Sequence, residues 1–383
     1  MSQKGATTLS RFLIFILNVY GLFPKSNGIA KLYWIYSYIF HFFVSLVFVG
    51  FALAYIAINI SDIEKTTDAL YTTLTILAYL FKIFNYYYYK EQIVNFVPKL
   101  YKLQDVNSPD EVELANVLER DVSRLSYSFL FAGHLAIGTS CFKAFSKTNP
   151  EMPLVCWYPL DWQNDRTSFW IVYPYSVFCA FAIMHINITL DCFSYYLMDT
   201  IATHLVIIGR RVEQLGQNVY HDDEIEQRKF IVCVKQHQHL MDLVDEMENF
   251  LSIQFFAQIC LSATVFCSGV YQMTSMSISE HLLQFLFCFL FMTCIAIEVF
   301  SYTFFGNRIL TATNSLTNYT YSSIWYEMPV RYQKHLMLFM ERLKRNTVLT
   351  AGKLFPMNLA LFTTIMSFSH RLYALRKSAA RND

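Results

Sequence analysis

The stretch LYWIYSYIFHFFVSLVFVGFALAYIAINI, residues 32–60, contains no Asp, Glu, Lys or Arg. A helix crosses the hydrocarbon core of a bilayer with about 20 mostly apolar residues, so this run is long enough to span one. Lipid offers the backbone no hydrogen-bond partner, and a run that enters it pairs its own N–H and C=O groups as a helix. Reading outward, six more runs follow. They are Ala69 to Tyr89, interrupted only by Lys82; Leu125 to Phe142; Phe169 to Leu190; Asn249 to Ser279; Leu282 to Gly306, carrying only Glu298; and Leu354 to Ser369. The last is shorter and more polar, with Thr363, Thr364 and Ser367.

Composition agrees with a membrane domain rather than a string of soluble ones. Charged residues make up 15% of the chain, against roughly 25% in a soluble domain. The net charge of +1 gives no basic surface for nucleic acid. Nine cysteines form no CxxC pair and no zinc spacing, and most fall in apolar runs, where a free thiol behaves as a small hydrophobe. Cys141 and Cys156 flank a predicted outside loop; a disulfide between them stays open, because spacing does not set its geometry.

Lys and Arg collect on the cytoplasmic side of a membrane. Four precede the first run (Lys4, Arg11, Lys25, Lys31) and five follow the second (Lys90, Lys99, Lys102, Arg120, Arg124). Five follow the fourth (Arg210, Arg211, Arg228, Lys229, Lys235), and seven follow the sixth, from Arg308 to Lys353. The other side has Lys65 alone, then Lys143, Lys147 and Arg166, none after the fifth run, and Arg371, Arg376, Lys377 and Arg381 at the end. The expected architecture is an all-α bundle of seven transmembrane helices with a cytoplasmic N-terminus and an extracellular C-terminus. G-protein-coupled receptors have the opposite orientation, and their Asp-Arg-Tyr and Asn-Pro-x-x-Tyr signatures are absent. Phe12 to Phe23 lacks a small-residue cleavage site and reads as a short helix on the inner surface, not a signal peptide.

Several helices are expected to continue past the membrane: the fourth to Leu215, the fifth backward to Ile225, the sixth through Leu310. Pro329 to Arg345 is a further amphipathic helix, with Leu336, Phe339, Met340 and Leu343 on one side. Each carries an apolar stripe that needs burial, so they are expected to pack together.

Three passages resemble the insect odorant receptors. Val348-Leu349-Thr350-Ala351-Gly352-Lys353-Leu354-Phe355-Pro356, followed by Phe362-Thr363 and Leu372-Tyr373-Ala374-Leu375-Arg376, is similar to their C-terminal signature. Tyr20-Gly21-Leu22-Phe23-Pro24 is similar to an N-terminal Gly-Leu-Trp-Pro element, and Trp157-Tyr158-Pro159-Leu160-Asp161 with Phe169-Trp170 to their second extracellular loop. The related gustatory receptors carry a Thr-Tyr…Gln-Phe motif in the last span, which is missing here.

The resemblance implies a subunit of a ligand-gated, non-selective cation channel in the plasma membrane of an olfactory sensory neuron. It implies a heterotetramer with the shared odorant co-receptor, Orco, and a pore lined by the seventh helix. No long insertion separates Arg211 from Glu248, so the chain resembles an odour-tuning subunit. On this reading 1–31 is a cytoplasmic segment, 32–310 holds spans one to six, 191–248 and 306–353 form a cytoplasmic anchor, and 354–378 is the pore helix. No cofactor, metal or enzymatic activity is expected. A stand-alone, gustatory-like chemoreceptor channel is the nearer alternative and a membrane transporter the more distant one.

In the family the odorant sits in the outer half of the membrane, among spans two to six. The residues expected there are Tyr71, Thr75 and Tyr79; His134, Gly138 and Phe142; Tyr173, Val177, Phe178 and Phe181; Phe266 and Met273; and Phe285. Such a wall suits a small neutral volatile, aromatic ones included. Gly138 one turn before Phe142 would open space beside a platform. His134 and His185 read as hydrogen-bonded bundle residues rather than metal ligands. Lys82 and Glu298 are costly inside a membrane; snorkelling, or a salt bridge in the cytoplasmic cluster, is the expected role. Aligned on the family, Ala374 and Ser378 fall at the pore constriction, with Ser367 and Arg371 further in. Four arginines at one level would oppose cations, which predicts a subunit poor at forming a channel alone; the alternative is an Arg371 turned outward toward the lipid headgroups.

Overall fold

Each of the seven apolar runs forms most of its described length as helix, and most of these helices outrun the apolar stretch that nucleates them. The structure, a computed structural model, describes residues 8–24, 30–103, 108–146, 151–216, 223–275, 282–345 and 347–379. A short helix α1 (Thr8–Val19) precedes α2 (Ala30–His41), a π-helical turn (Phe42–Val47) and α3 (Phe48–Ile58), which run on as one rod. Then come α4 (Ile63–Lys102), α5 (Pro109–Ser146), α6 (Arg166–Glu213), α7 (Asp223–Ser275), α8 (Leu282–Ser322), α9 (Val330–Leu343) and α10 (Leu359–Ala379). Five of the helices are long and apolar enough to cross a membrane: the α2–α3 rod, α5, α6, α7 and α8.

The helix ends follow local chemistry. Asp165 caps α6, accepting hydrogen bonds from the Thr167 and Ser168 amides at 3.0 Å each. The Ser168 hydroxyl adds a third, and these donors hold the Asp165 carboxyl below the usual carboxylate range. The last helix starts later than the apolar pattern predicts. Thr350–Ala351 and Phe355–Pro356 pair as a small antiparallel hairpin, and Asn358 then caps α10 through the Leu361 amide at 3.0 Å. Gly352 and Lys353 turn the hairpin with φ of 61° and 58°, the left-handed region that glycine tolerates best. The hairpin is tied to α7: the Gly352 amide donates to the Ser252 carbonyl at 2.8 Å, and the Thr350 amide donates to Glu248 at 3.0 Å.

At the other end of the chain, Leu9, Leu13 and Leu17 form an i, i+4, i+8 stripe buried completely, and α1 packs along α6. The turn after it depends on Gly21, at φ 84°, where an added Cβ would come within 2.9 Å of Ser37. The π-helical turn in the first rod departs from the regular helix expected there. His41, just before it, bonds the Tyr20 carbonyl at 3.0 Å and Ser45 at 3.2 Å, and Ser45 bonds Tyr79 of α4 at 2.7 Å.

The centre of the bundle is α6. From Ile186 to Leu205 nearly every residue is buried, because α1, α4, α5, α7 and α8 all pack on it. A helix buried on all sides shows no amphipathic stripe. The charged ends of the bundle are also helical, more extensively than expected: α4 runs on to Lys102 and α5 begins at Pro109. Ion pairs join these ends, including Arg211 to Glu111 at 2.6 Å, Lys99 to Glu246 at 2.7 Å, and Arg308 to Asp199. On α9, Leu336, Phe339 and Leu343 are buried as the stripe predicts, and the Phe339 ring meets Phe230 and His237 edge-on. Cys141 and Cys156 are free thiols.

Lys82 does not snorkel. Its side chain is 1% exposed and reaches three partners from two other helices: Asp191 at 2.6 Å, Glu298 at 2.6 Å and the Asn187 carbonyl oxygen at 2.9 Å. Tyr302 also donates to Asp191, and Tyr195 donates to the Glu298 backbone carbonyl at 3.2 Å. The ion pair sits in the core of the bundle, not in a cluster at its charged end.

Removing one partner of a buried ion cluster strands the rest. Lys82→Met should lower stability by about 3–5 kcal/mol, read as thermal unfolding of the full chain in detergent micelles. The combination Lys82→Met, Asp191→Asn and Glu298→Gln should recover most of that loss. Gly306 tests a second contact, since an added Cβ would stand 2.5 Å from the Met357 carbonyl oxygen just before α10. Gly306→Ala should cost about 1–3 kcal/mol in the same assay. Gly50, with nothing within 4 Å of an added Cβ, should accept Ala with no loss.

Candidate functional site

Helices α4, α5, α6 and α8 enclose a cavity of about 90 Å³. Thr72, Thr75, Ile76 and Tyr79 wall it from α4; Phe129, Gly133, Ala136 and Ile137 from α5. Ala180, Ile183, Met184, Asn187 and Ile188 come from α6, and Phe287, Phe291, Cys294, Ile295 and Glu298 from α8. Leu154, in the loop before α6, closes one end. Small residues make the space. An added Cβ at Gly133 would lie 2.7 Å from the Ile188 Cδ1, inside contact distance. Met184, also 3.0 Å from that point, is an unbranched and adaptable wall residue.

The wall is almost entirely carbon, with its polar groups concentrated toward the ion cluster. Thr72 and Thr75 donate their hydroxyls to the Ala69 and Tyr71 carbonyls of their own helix. Tyr79 is held by Ser45. Asn187 and Glu298 are at once wall residues and partners of Lys82. The cavity therefore abuts the ion cluster at Asn187 and Glu298. A site like this can hold an apolar body by contact and orient one polar group. Among the described residues no group of His, Cys, Asp and Glu could hold a metal.

Of the residues expected to face a ligand, Thr75 and Tyr79 line the cavity. Tyr71 stands just behind it, its ring centroid 5.4 Å from that of Phe291. His134 lies one residue from Gly133; it bonds the Leu130 carbonyl at 2.6 Å and packs 4.5 Å from His185, with Phe181 alongside. Tyr173 stacks on Phe169 and donates to the Cys141 carbonyl at 3.3 Å. Phe142 and Phe178 point out of the bundle, 73% and 55% exposed, so Phe142 is no platform here. The space beside Gly138 is open. Val177, Phe266, Met273 and Phe285 are buried or half-buried elsewhere, and α7 gives the cavity no residue.

The difference is one of helical phase. The expected face of α5 ran through His134 and Gly138, whereas the walled face runs through Gly133, Ala136 and Ile137, one position back and about 100° round. In α6 and α8 the cavity lies deeper, toward Asn187 and Glu298. The signal available in the sequence was small residues beside isolated polar ones, not aromatics. Aromatic side chains in a membrane helix serve the lipid face as readily as the interior.

The expected pore residues Ser367, Arg371 and Ala374 share an exposed face of α10, away from the Ile365 and Ser369 side buried in the bundle. The Ser378 side chain lies outside the described residues. The α10 helix rests on α7 and α8: the Phe362 ring meets Phe300 edge-on at 5.5 Å, and Phe355 stacks with Phe256 at 6.3 Å. Phe300 lies one residue past Val299 and two past the cavity residue Glu298, so one helix touches both sites.

With that geometry in view, a family model described as 7tm Odorant receptor matches residues 62–370. Odorant receptor 94a of Drosophila melanogaster is 23% identical over 384 residues, covering 97% of this chain and 98% of its own. Odorant receptor Or1 of Anopheles gambiae is 21% identical and covers 84% of this chain and 82% of its own. Among solved structures, the insect olfactory receptor OR5 of Machilis hrabei superposes with a TM-score of 0.84 at 13% identity, covering 95% of this chain and 96% of its own. In complex with eugenol the same receptor gives a TM-score of 0.85, covering 96% and 97%. The fold is thus shared end to end with a solved receptor, and the family match runs from the start of α4 into α10: the chain belongs to the 7tm odorant receptor family.

Proposed function

We propose that this chain is the odour-tuning subunit of a heteromeric, ligand-gated cation channel. It crosses the plasma membrane of an olfactory sensory neuron seven times, with its N-terminus inside. The charge asymmetry between alternate loops supports that orientation. Helix α4, with Lys82 at its centre, is one of the two less apolar crossings, and α10 is the other. A small neutral volatile occupies the cavity between α4, α5, α6 and α8, held by Thr75, Tyr79 and the residues that wall it with them. Tyr71, His134 and Phe181 back that wall. The exposed face of α10 through Ser367, Arg371 and Ala374 lines the pore, and Ser378 belongs to the same constriction on the family's pattern. The charged ends of these helices, within 191–248 and 306–353, form the anchor to neighbouring subunits, the odorant co-receptor Orco among them.

The observation that carries this reading is the apolar cavity beside the buried ion cluster, in the middle of a bundle of this family. Its 90 Å³ is well below the roughly 300–1,000 Å³ of a pocket for a drug-sized ligand. The fitting ligand is therefore small, or Met184 and its neighbours swing aside to admit it. Arg371 supports a heteromer, since a ring of four arginines would repel the permeant ion. The eugenol complex of the Machilis hrabei receptor shows a small aromatic volatile bound on this fold, in that protein.

Cells expressing this chain alone should pass little cation current when a broad panel of neutral volatiles is applied. Cells that also express the co-receptor should respond to some of them. Ala180→Leu, which fills the cavity, should raise the half-maximal concentration at least about 10-fold, the scale of one to two misplaced methylenes, with surface expression unchanged. Silence across the panel with both subunits at the surface would refute the reading. Full-sized currents without the co-receptor would favour a stand-alone chemoreceptor channel instead.

A further inference from the structure

The polar side chains on the cavity wall differ in what they have left to offer. Thr72 and Thr75 have given their hydroxyl protons to the backbone, at 3.0 and 3.1 Å. Tyr79 is engaged with Ser45 at 2.7 Å. Glu298 holds Lys82 with one oxygen, has the other sealed inside the bundle, and shares a side-chain hydrogen bond with Asp191. Asn187 is different. An ammonium has N–H groups and no acceptor, so the Asn187 atom that Lys82 bonds at 2.9 Å is the amide oxygen, and this contact fixes which way the amide faces. The amide nitrogen is left over. It has no acceptor among the described residues, yet it is not one of the sealed polar atoms. Asn187 keeps 9% of its surface where Lys82, Asp191 and Glu298 keep 1% or less, and it belongs to the cavity wall. The ammonium on its oxygen polarises the amide and makes the N–H a stronger donor.

We propose that the Asn187 amide N–H selects the cavity's ligand, a small, largely hydrocarbon molecule with one hydrogen-bond-accepting oxygen, such as a ketone or an aldehyde. Its oxygen accepts from Asn187, and its hydrocarbon part lies against Ile76, Phe129, Ile183 and Phe291. A carbonyl brings lone pairs and no proton, so one donor satisfies it. A hydrocarbon leaves the amide unmatched. A cation would stand beside Lys82 and beside an amide that offers it only N–H. This inference rests on the reading of the cavity as the odorant site, and it adds the selecting residue and the chemical class.

The test uses pairs in which a carbonyl oxygen is exchanged for a methylene of nearly the same shape: cyclohexanone and methylenecyclohexane, cyclopentanone and methylenecyclopentane, acetophenone and isopropenylbenzene. Each is titrated calorimetrically into the full chain in lipid nanodiscs, which requires no channel assembly. The quantity read is the ratio of ketone to alkene affinity, compared between the wild type and Asn187→Leu, whose side chain has the same branching and no N–H. Differences in water solubility and lipid partition cancel in that comparison. The ratio should be about 3- to 10-fold higher in the wild type, the scale of one hydrogen bond. An equal ratio in both proteins overturns the proposal and leaves the cavity as an odorant site. Should Asn187→Leu fail to fold, a second readout decides on the wild type alone. The saturable infrared carbonyl band of cyclohexanone on the protein in dodecyl maltoside should lie below its position in hexane, as a hydrogen-bonded carbonyl does. A band at the hexane position overturns the proposal. If no compound binds in any pair, the reading of the cavity as an odorant site falls, and this proposal with it.

Discussion

An ammonium group buried in the middle of a helical bundle has to be matched from other helices, and Lys82 is matched from two. Asp191 and Glu298 each place a carboxylate 2.6 Å from it, and the three residues come from α4, α6 and α8. Apolar helices in lipid gain little from burying one another, since the lipid is as apolar as they are. Register between them has to come from groups that cannot be left in lipid. The cluster supplies that register at one depth, and Tyr302, Tyr195 and Asn187 extend it to their neighbours. Slide any of the three helices by one turn and a charge is stranded, which a buried site tolerates far less than an apolar mismatch.

The cavity follows from the same constraint. Charged side chains pull α4, α6 and α8 together at Lys82. On the cavity wall Ala136 and Ala180 present only methyl groups, and Gly133 lets Ile188 and Met184 of α6 come close to α5. The aromatic residues that might have filled the cavity are turned outward, as Phe142 and Phe178 are. The cavity therefore sits against the ion cluster, with Asn187 and Glu298 shared between the two.

This also explains what the sequence could and could not disclose. Membrane helices were legible because apolar runs longer than about 20 residues have few other uses. The amphipathic helix α9 was legible because its polar face is wet and its Leu336–Phe339–Leu343 stripe is not. The extensions of α4 and α5 were missed because Glu111, Glu113, Glu119 and Arg124 read as a loop, although ion pairs such as Arg211 to Glu111 hold them in place. Lys82 and Glu298 were each visible as costly residues, but their partnership across 216 positions was not. The hairpin before α10 lay inside a stretch noticed only for its resemblance; Gly352 and Lys353 turn it because α7 offers Ser252 and Glu248 as anchors. The cavity-lining residues were the least legible. In a soluble helix hydrophobicity marks the inside, whereas in lipid it marks neither side, and the helical phase has to be read from glycine, alanine and lone polar groups.

Helix α8 then links the parts that matter. Its residues from Phe287 to Glu298 wall the cavity, Glu298 joins the ion cluster, Phe300 packs on Phe362 of α10, and Gly306 lies against Met357. The contact at Gly306 has no slack, because an added Cβ there would meet backbone rather than a movable side chain. Packed interfaces of this kind do not deform continuously; they hold one arrangement or move to another. One unbroken helix, α8, therefore carries the cavity wall, the ion cluster and the contacts to α10. The pairing that fixes the bundle is thus also the point at which an occupant of the cavity touches the rest of the molecule.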